Sequence, residues 1–185
     1  MCVKKFLIIT ALFMTIFSTC NAAQVRLSNM NAETFLNKMT SMLHTDNMKK
    51  ISTIAITKLI RDEKSDMPEY NLKAWGSLFA VSESSPPEGY VVFLTDTADC
   101  VNSMKFVFKV TSDWYNKYQA MLLSALWTLD FTPQEAAQLI KGGETENEIY
   151  TSAVKIPRQD KAYVLIMNKI EDKMVVLLMA TDGGK

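Results

Sequence analysis

Ala162-Tyr163-Val164-Leu165-Ile166-Met167-Asn168-Lys169-Ile170, then Glu171-Asp172-Lys173, then Met174-Val175-Val176-Leu177-Leu178-Met179-Ala180, is the stretch that decides the fold class. Two aliphatic and β-branched runs around three polar residues read as antiparallel strands joined by a tight turn. The second run is apolar at every position. A strand sends successive side chains to opposite faces. Met174, Val176, Leu178 and Ala180 therefore share one face, and Val175, Leu177 and Met179 share the other. Both faces need cover, as in the central strand of a sheet.

Working back from there, 148–156 reads as a third strand, ended by Pro157. Thr132-Pro133-Gln134-Glu135 carries the residues of a capping box with proline at the first helical position. It predicts a short helix to Lys141, stopped by Gly142-Gly143. Upstream, Ser112 is the expected cap of a longer helix, with Asp113 at its positive end. Trp114, Tyr118, Met121, Leu122, Ala125, Leu126 and Leu129 form its apolar stripe, widened by Tyr115, Leu123 and Trp127. A helix apolar on nearly all sides belongs inside the molecule.

The first half opens on Asn31 as an N-cap, with Glu33 in the first turn. Phe35, Leu36, Met39, Met42 and Leu43 follow at helical spacing, ending near His44. Strands are expected over 51–60, 70–81, 90–95 and 102–110, with a bend at Gly76. The polar run 61–68 reads as a loop, and 82–89 and 96–99 as turns. The order is α-ββββ-αα-βββ. It defines an α+β fold: an antiparallel sheet of about seven strands packed by helices on one face. The two halves are loosely alike, without a residue-level repeat.

Residues 1–22 have the parts of a secretory signal: Lys4 and Lys5, an apolar run from Phe6 to Phe17, and a small-residue exit at Ala22. Twelve apolar residues are too few to span a bilayer, which needs ~20. The protein is therefore expected to be exported, periplasmic or secreted, with no transmembrane segment after cleavage. Cys20 offers the alternative of a lipid anchor, but Phe17-Ser18-Thr19-Cys20 departs from the usual leucine, two small residues and cysteine. The expected organisation is a signal at 1–22, a linker at 23–30, one domain at 31–182 and a frayed tail at 183–185.

The chain has 185 residues, 48% hydrophobic and 22% charged, which is globular composition. Its 20 basic residues balance 20 acidic ones. They form no basic block, so no nucleic-acid partner is expected. His44 is the one histidine, read as a helix C-cap. After cleavage Cys100 is the one cysteine, read as buried and inert. No His/Cys metal cluster can form from that pair. Asp96 and Asp99 could serve calcium or a hydrolase, but aspartates also make turns for local reasons. Glu144, Glu146 and Glu148 read as a solvated loop. Gly142-Gly143 follows a helix and so cannot cradle a phosphate at a helix start. No Gly-x-Ser-x-Gly, dinucleotide fingerprint or P-loop is present. No cofactor is expected, and the catalytic inventory is thin.

The apolar faces are in surplus. Besides 174–180, the strand over 70–81 is apolar on both sides: Leu72, Ala74, Leu78 and Ala80 against Trp75, Phe79 and Val81. The reading is a binding or interaction domain that uses an apolar groove or sheet surface for an apolar ligand, a protein partner or self-association. Trp75, Phe79, Val175, Leu177 and Met179 are its candidate binding residues. The alternatives are a carboxylate-based hydrolase of the cell envelope and a lipid-anchored structural protein.

Overall fold

The structure, a computed structural model, describes residues 25–183. The signal reading at 1–22, the lipid-anchor reading at Cys20 and all of the expected tail beyond Gly183 lie outside the described residues. Four α-helices run Ala32–Leu43 (α1), Asp46–Lys49 (α2), Trp114–Thr128 (α3) and Pro133–Lys141 (α4). Nine strands run Ala55–Ile56 (β1), Ile60–Arg61 (β2), Lys73–Ala80 (β3), Gly89–Thr95 (β4), Val101–Lys109 (β5), Glu144–Glu146 (β6), Ile149–Ile156 (β7), Lys161–Ile170 (β8) and Lys173–Asp182 (β9). They form one antiparallel sheet in the order β1-β3-β4-β5-β9-β8-β7-β6, with β2 also paired to β3.

The fold is α+β, with nine strands where about seven were expected. The extra strands have two causes. The expected strand over 51–60 divides, because 48–52 completes a helical turn and only two short pieces pair with β3. Thr57 accounts for the break: its backbone N–H bonds the Leu78 carbonyl, and its Oγ1 accepts from the Leu78 N–H at 2.9 Å. The side chain thus does the work of the backbone ladder, and the chain bulges before it pairs again at Ile60. At the other end Glu144–Glu146 pairs with β7 through Asn147 and Glu148, both left-handed at φ 49° and 68°. Two such residues make a type I′ hairpin turn. Glutamates on this exposed outermost strand discourage pairing with another chain.

Local signals place the helices. The Asn31 side chain accepts the Thr34 N–H at 2.8 Å, which starts α1. Thr132 and Glu135 form the full capping box of α4, and Glu135 also pairs with Arg158. Ser112 does not cap α3. Asp113 takes that position without a capping bond, because its carboxylate is held by the Thr111 hydroxyl and by Lys117.

The helices cover one face of the sheet. Phe79, Phe93, Met104, Phe106, Phe108, Leu165, Val176 and Leu178 meet Phe35, Met39, Met121, Leu122, Leu126 and Leu139 in the main core. Phe108 anchors it, 5.2 Å from Phe79 and edge-on to Tyr118 at 6.0 Å between ring centroids. β5 and β9, the last strands of the two halves, pair with each other at the centre. No helix of the described residues is long and apolar enough to cross a membrane.

Candidate binding site: a groove beside Trp75

The five candidate binding residues divide between the two faces of the sheet. Register decides this. Trp75 pairs with Phe93, Phe93 with Met104, and Met104 with Leu178, which puts Trp75 on the helix side. Phe79 lies on that side too, 1% exposed and enclosed in the main core. Val175, Leu177 and Met179 face the other way. The structure therefore does not bring the five into one surface.

The second face has its own cover. The segment from Asp62 to Leu72, expected to be a loop to 68 and then the start of a strand from 70, folds back over the sheet through short 3-10 turns at Glu63–Ser65 and Pro68–Tyr70. Met67 and Tyr70 pack on two small clusters at once, one of Leu72, Ala74, Val92 and Leu94 and one of Leu177 and Met179. Leu177 and Met179 are buried as a result, while Val175 is half-buried. Lys105 stands in the row between Val92 and Leu177. Burial pushes its ammonium pKa down, and the nearby Asp62 carboxylate opposes that shift.

Trp75 lines a groove on the helix side, at the edge of the sheet. Several local features build it. The chain entering α1 runs beside β5, with the Ser28 N–H bonded to the Val101 carbonyl and the Val101 N–H to the Met30 carbonyl. This sets the first turns of α1 beside the β4–β5 turn. The bulge after Thr57 supplies the opposite wall, Ile56 to Leu59. The groove encloses about 470 Å³. Leu36, Ile56, Leu59 and the half-buried Trp75 give it apolar walls; Glu33, Asn37, Thr40, Lys58 and Asp99 give it polar ones.

The indole is fixed in place. Its Nε1–H donates to Thr95 Oγ1 at 3.2 Å, and the Arg61 guanidinium lies 5.6 Å from the ring centroid. The polar side chains around it are uncommitted. Glu33, Asn37, Thr40, Lys58 and Asp99 make no side-chain hydrogen bond or ion pair among the described residues. Together they present acceptors, donors and an aromatic face to the groove.

The other sequence candidates are engaged elsewhere. Asp96 is the turn-former of its loop: Oδ1 accepts the backbone N–H groups of Ala98 and Cys100. Arg26 meets Oδ2 at 2.5 Å. Burial works to raise the Asp96 pKa, but the Arg26 contact and those N–H groups outweigh it and hold the carboxyl below the usual range. Cys100 is half-exposed instead of buried, with its thiol 3.4 Å from the Asn29 carbonyl oxygen. It sits in a turn rim, which explains the difference from the core position expected. His44 is the exposed C-cap residue of α1. Glu144 and Glu146 are exposed on β6. Among the described residues no group of three or more His, Cys, Asp or Glu side chains is arranged to hold a metal.

The bulge at 57–59 that shapes the groove carried only a weak signal in the sequence, since the β-branched run 51–60, with Ile54 and Ile56 on one face, reads as a single strand. No known protein family, curated protein or solved structure matches the chain.

Proposed function

We propose that this chain is an exported binding domain that holds a small amphipathic ligand against Trp75. One observation carries the reading: a groove of about 470 Å³ sets a fixed, half-buried indole among uncommitted carboxylate, amide, hydroxyl and ammonium groups. Apolar walls with a few polar groups are the usual make-up of small-ligand sites, and this volume lies in their range. The test is an NMR titration with benzyl alcohol, an aromatic ring carrying one hydroxyl, followed at the tryptophan indole N–H signals. The Trp75 signal, identified with Trp75→Phe, is expected to shift and saturate. If it does not move while the protein is folded, the groove reading falls. Export rests on residues 1–22, and N-terminal sequencing of mature protein is expected to begin at Ala23 or Gln24. A start at an acylated Cys20 would replace it with the anchored reading.

A second reading assigns the helix-free face to a second copy of this chain. It is favoured by Ile60 and Leu78, exposed at 62% and 41% beside each other on the β2–β3 edge of that face. Sedimentation analysis of wild type and Leu78→Lys tests it: a dimer that the substitution dissociates supports it, and a wild-type monomer at all concentrations removes it.

A further inference from the structure

We infer that the ligand of the Trp75 groove is a neutral oligosaccharide chain, laid across α1 from Trp75 to Trp127; this rests on the groove reading above. The observation behind it is a second groove on the other side of α1. It encloses about 360 Å³ and is lined by Lys38, Ser41 and Met42 of α1 together with Trp127 and Asp130. Asn37 lines both grooves. Its amide is exposed and uncommitted among the described residues. Trp127, like Trp75, is half-buried. Two aromatic platforms thus flank one helix, with a shared amide between them.

The chemistry of the walls selects the ligand class. Glu33, Asp99 and Asp130 against Lys38 and Lys58 leave the two grooves with one net negative charge. A nucleic acid or other polyanion needs a basic channel to neutralise its charge, so it is disfavoured. A cationic ligand against Trp75 would meet the like charge of the Arg61 guanidinium, 5.6 Å from the ring centroid, which a neutral one does not. A purely apolar ligand would take water from the polar groups without replacing its hydrogen bonds. A sugar ring fits both demands. Its C–H face stacks on an indole, while its hydroxyls donate to carboxylates and accept from an ammonium, an amide or a threonine hydroxyl. A chain of rings uses two platforms; a single compact molecule uses one.

The experiment is the same NMR readout of the three tryptophan indoles in the purified protein, titrated with cellobiose and cellohexaose and with their N-acetylated counterparts. The longer chain of at least one series is expected to shift both Trp75 and Trp127. It should bind about tenfold tighter than the disaccharide, the increment of one further aromatic contact. Trp127→Phe should weaken the hexamer towards the affinity of the disaccharide and leave the disaccharide unchanged. Asn37→Ala, at an exposed position, tests the same continuity without touching the core. Shifts at Trp75 alone at every chain length overturn the chain across α1 and leave the groove reading standing. No shift with any saccharide, while benzyl alcohol still moves Trp75, overturns the saccharide class alone. No shift with either probe removes both.

Discussion

Arg61 and Asp66 form a two-bonded ion pair, with both N–H···O distances at 2.5 Å, and Asp66 also accepts the Ala74 backbone N–H at 2.8 Å. The pair ties the base of the covering segment to β3. The Arg61 hydrogen bonds, followed by the Ala74 N–H, hold the Asp66 carboxyl down at about 2, against an ordinary 3.8. A carboxylate with a lowered folded-state pKa stabilises the fold above its unfolded pKa and loses that contribution as pH falls through the folded value. The melting temperature is therefore expected to decline from about pH 4 to about pH 2. Asp66→Asn should melt lower than wild type at pH 6 and show a shallower decline in this window. Glu135, also held at about 2 by Arg158, supplies a second part of the slope. A slope equal in Asp66→Asn and wild type would remove the assignment.

Lys117 lies almost fully buried in the first turn of α3, its ammonium between Glu88 and Asp113. Burial works against its charge, but the bonds to Asp113 and Glu88 outweigh it and raise its pKa. The two carboxylates are the more exposed partners, at 24% and 52%. The substitutions should therefore be unequal. Glu88→Gln leaves a buried ammonium with one partly hydrated carboxylate and is expected to cost about 2 kcal/mol. Lys117→Met leaves the Asp113 carboxylate to water, but Glu88 Oε2, a fully buried atom, loses the ammonium it faces, and the variant is expected to cost about 3 kcal/mol. Urea unfolding of the two variants checks the order, and a Lys117→Met less costly than Glu88→Gln would contradict it.

Gly89 opens β4 opposite Phe108, where the chains approach too closely for any side chain. A β-carbon at this position would run into the Val107 carbonyl oxygen and the Phe79 ring. Neither can withdraw, since one is ladder backbone and the other is core. Gly89→Ala is expected to destabilise the protein by about 3 kcal/mol or more, beyond ordinary overpacking. A denaturation midpoint equal to wild type would show that β4 can shift its register here.

The helix caps at Asn31 and Thr132 and the tight turn between β8 and β9 were legible because their signals are local. Asn31, Thr132 and Glu135 act on atoms within three residues. The same locality misplaced one cap: Ser112 has the right side chain, but the Asp113 carboxylate is held by Thr111 and by Lys117 one turn on, which Glu88 from a distant turn also holds. Face assignment was only half legible. Alternation separates Trp75 from Ala74, yet which of them shares a face with Leu177 depends on the registers through β4 and β5. That path includes a slip between Leu94 and Thr95. The polarity of 61–68 hid the folding-back of Met67, because one apolar residue among charges gives no period. The Trp75 groove was legible only as the tryptophan itself; its walls come from a helix, a bulge and a turn far apart in the chain.

Lysine substitutions at three apolar positions should separate the two faces. Phe79 is 1% exposed between Phe108 and the helices, so Phe79→Lys places a charge in the main core with no partner. Unpaired buried charges are costly enough to unfold a domain of this size, and this variant is expected to be unfolded at room temperature. Leu177→Lys lies in the cluster packed by Met67 and Tyr70, at the outer surface of the sheet. Its ammonium can reach water by displacing that segment, so the fold should survive with a loss of about 3 kcal/mol. Val175 lies two residues back on the same face and is half-buried. Val175→Lys can extend its charge into solvent and should melt within a few degrees of wild type. Circular dichroism melts of the three variants give the order directly. Unfolding by all three would mean that the second face is as closed as the first, and equal tolerance of Leu177→Lys and Val175→Lys would mean that the 62–72 segment does not hold its place in solution.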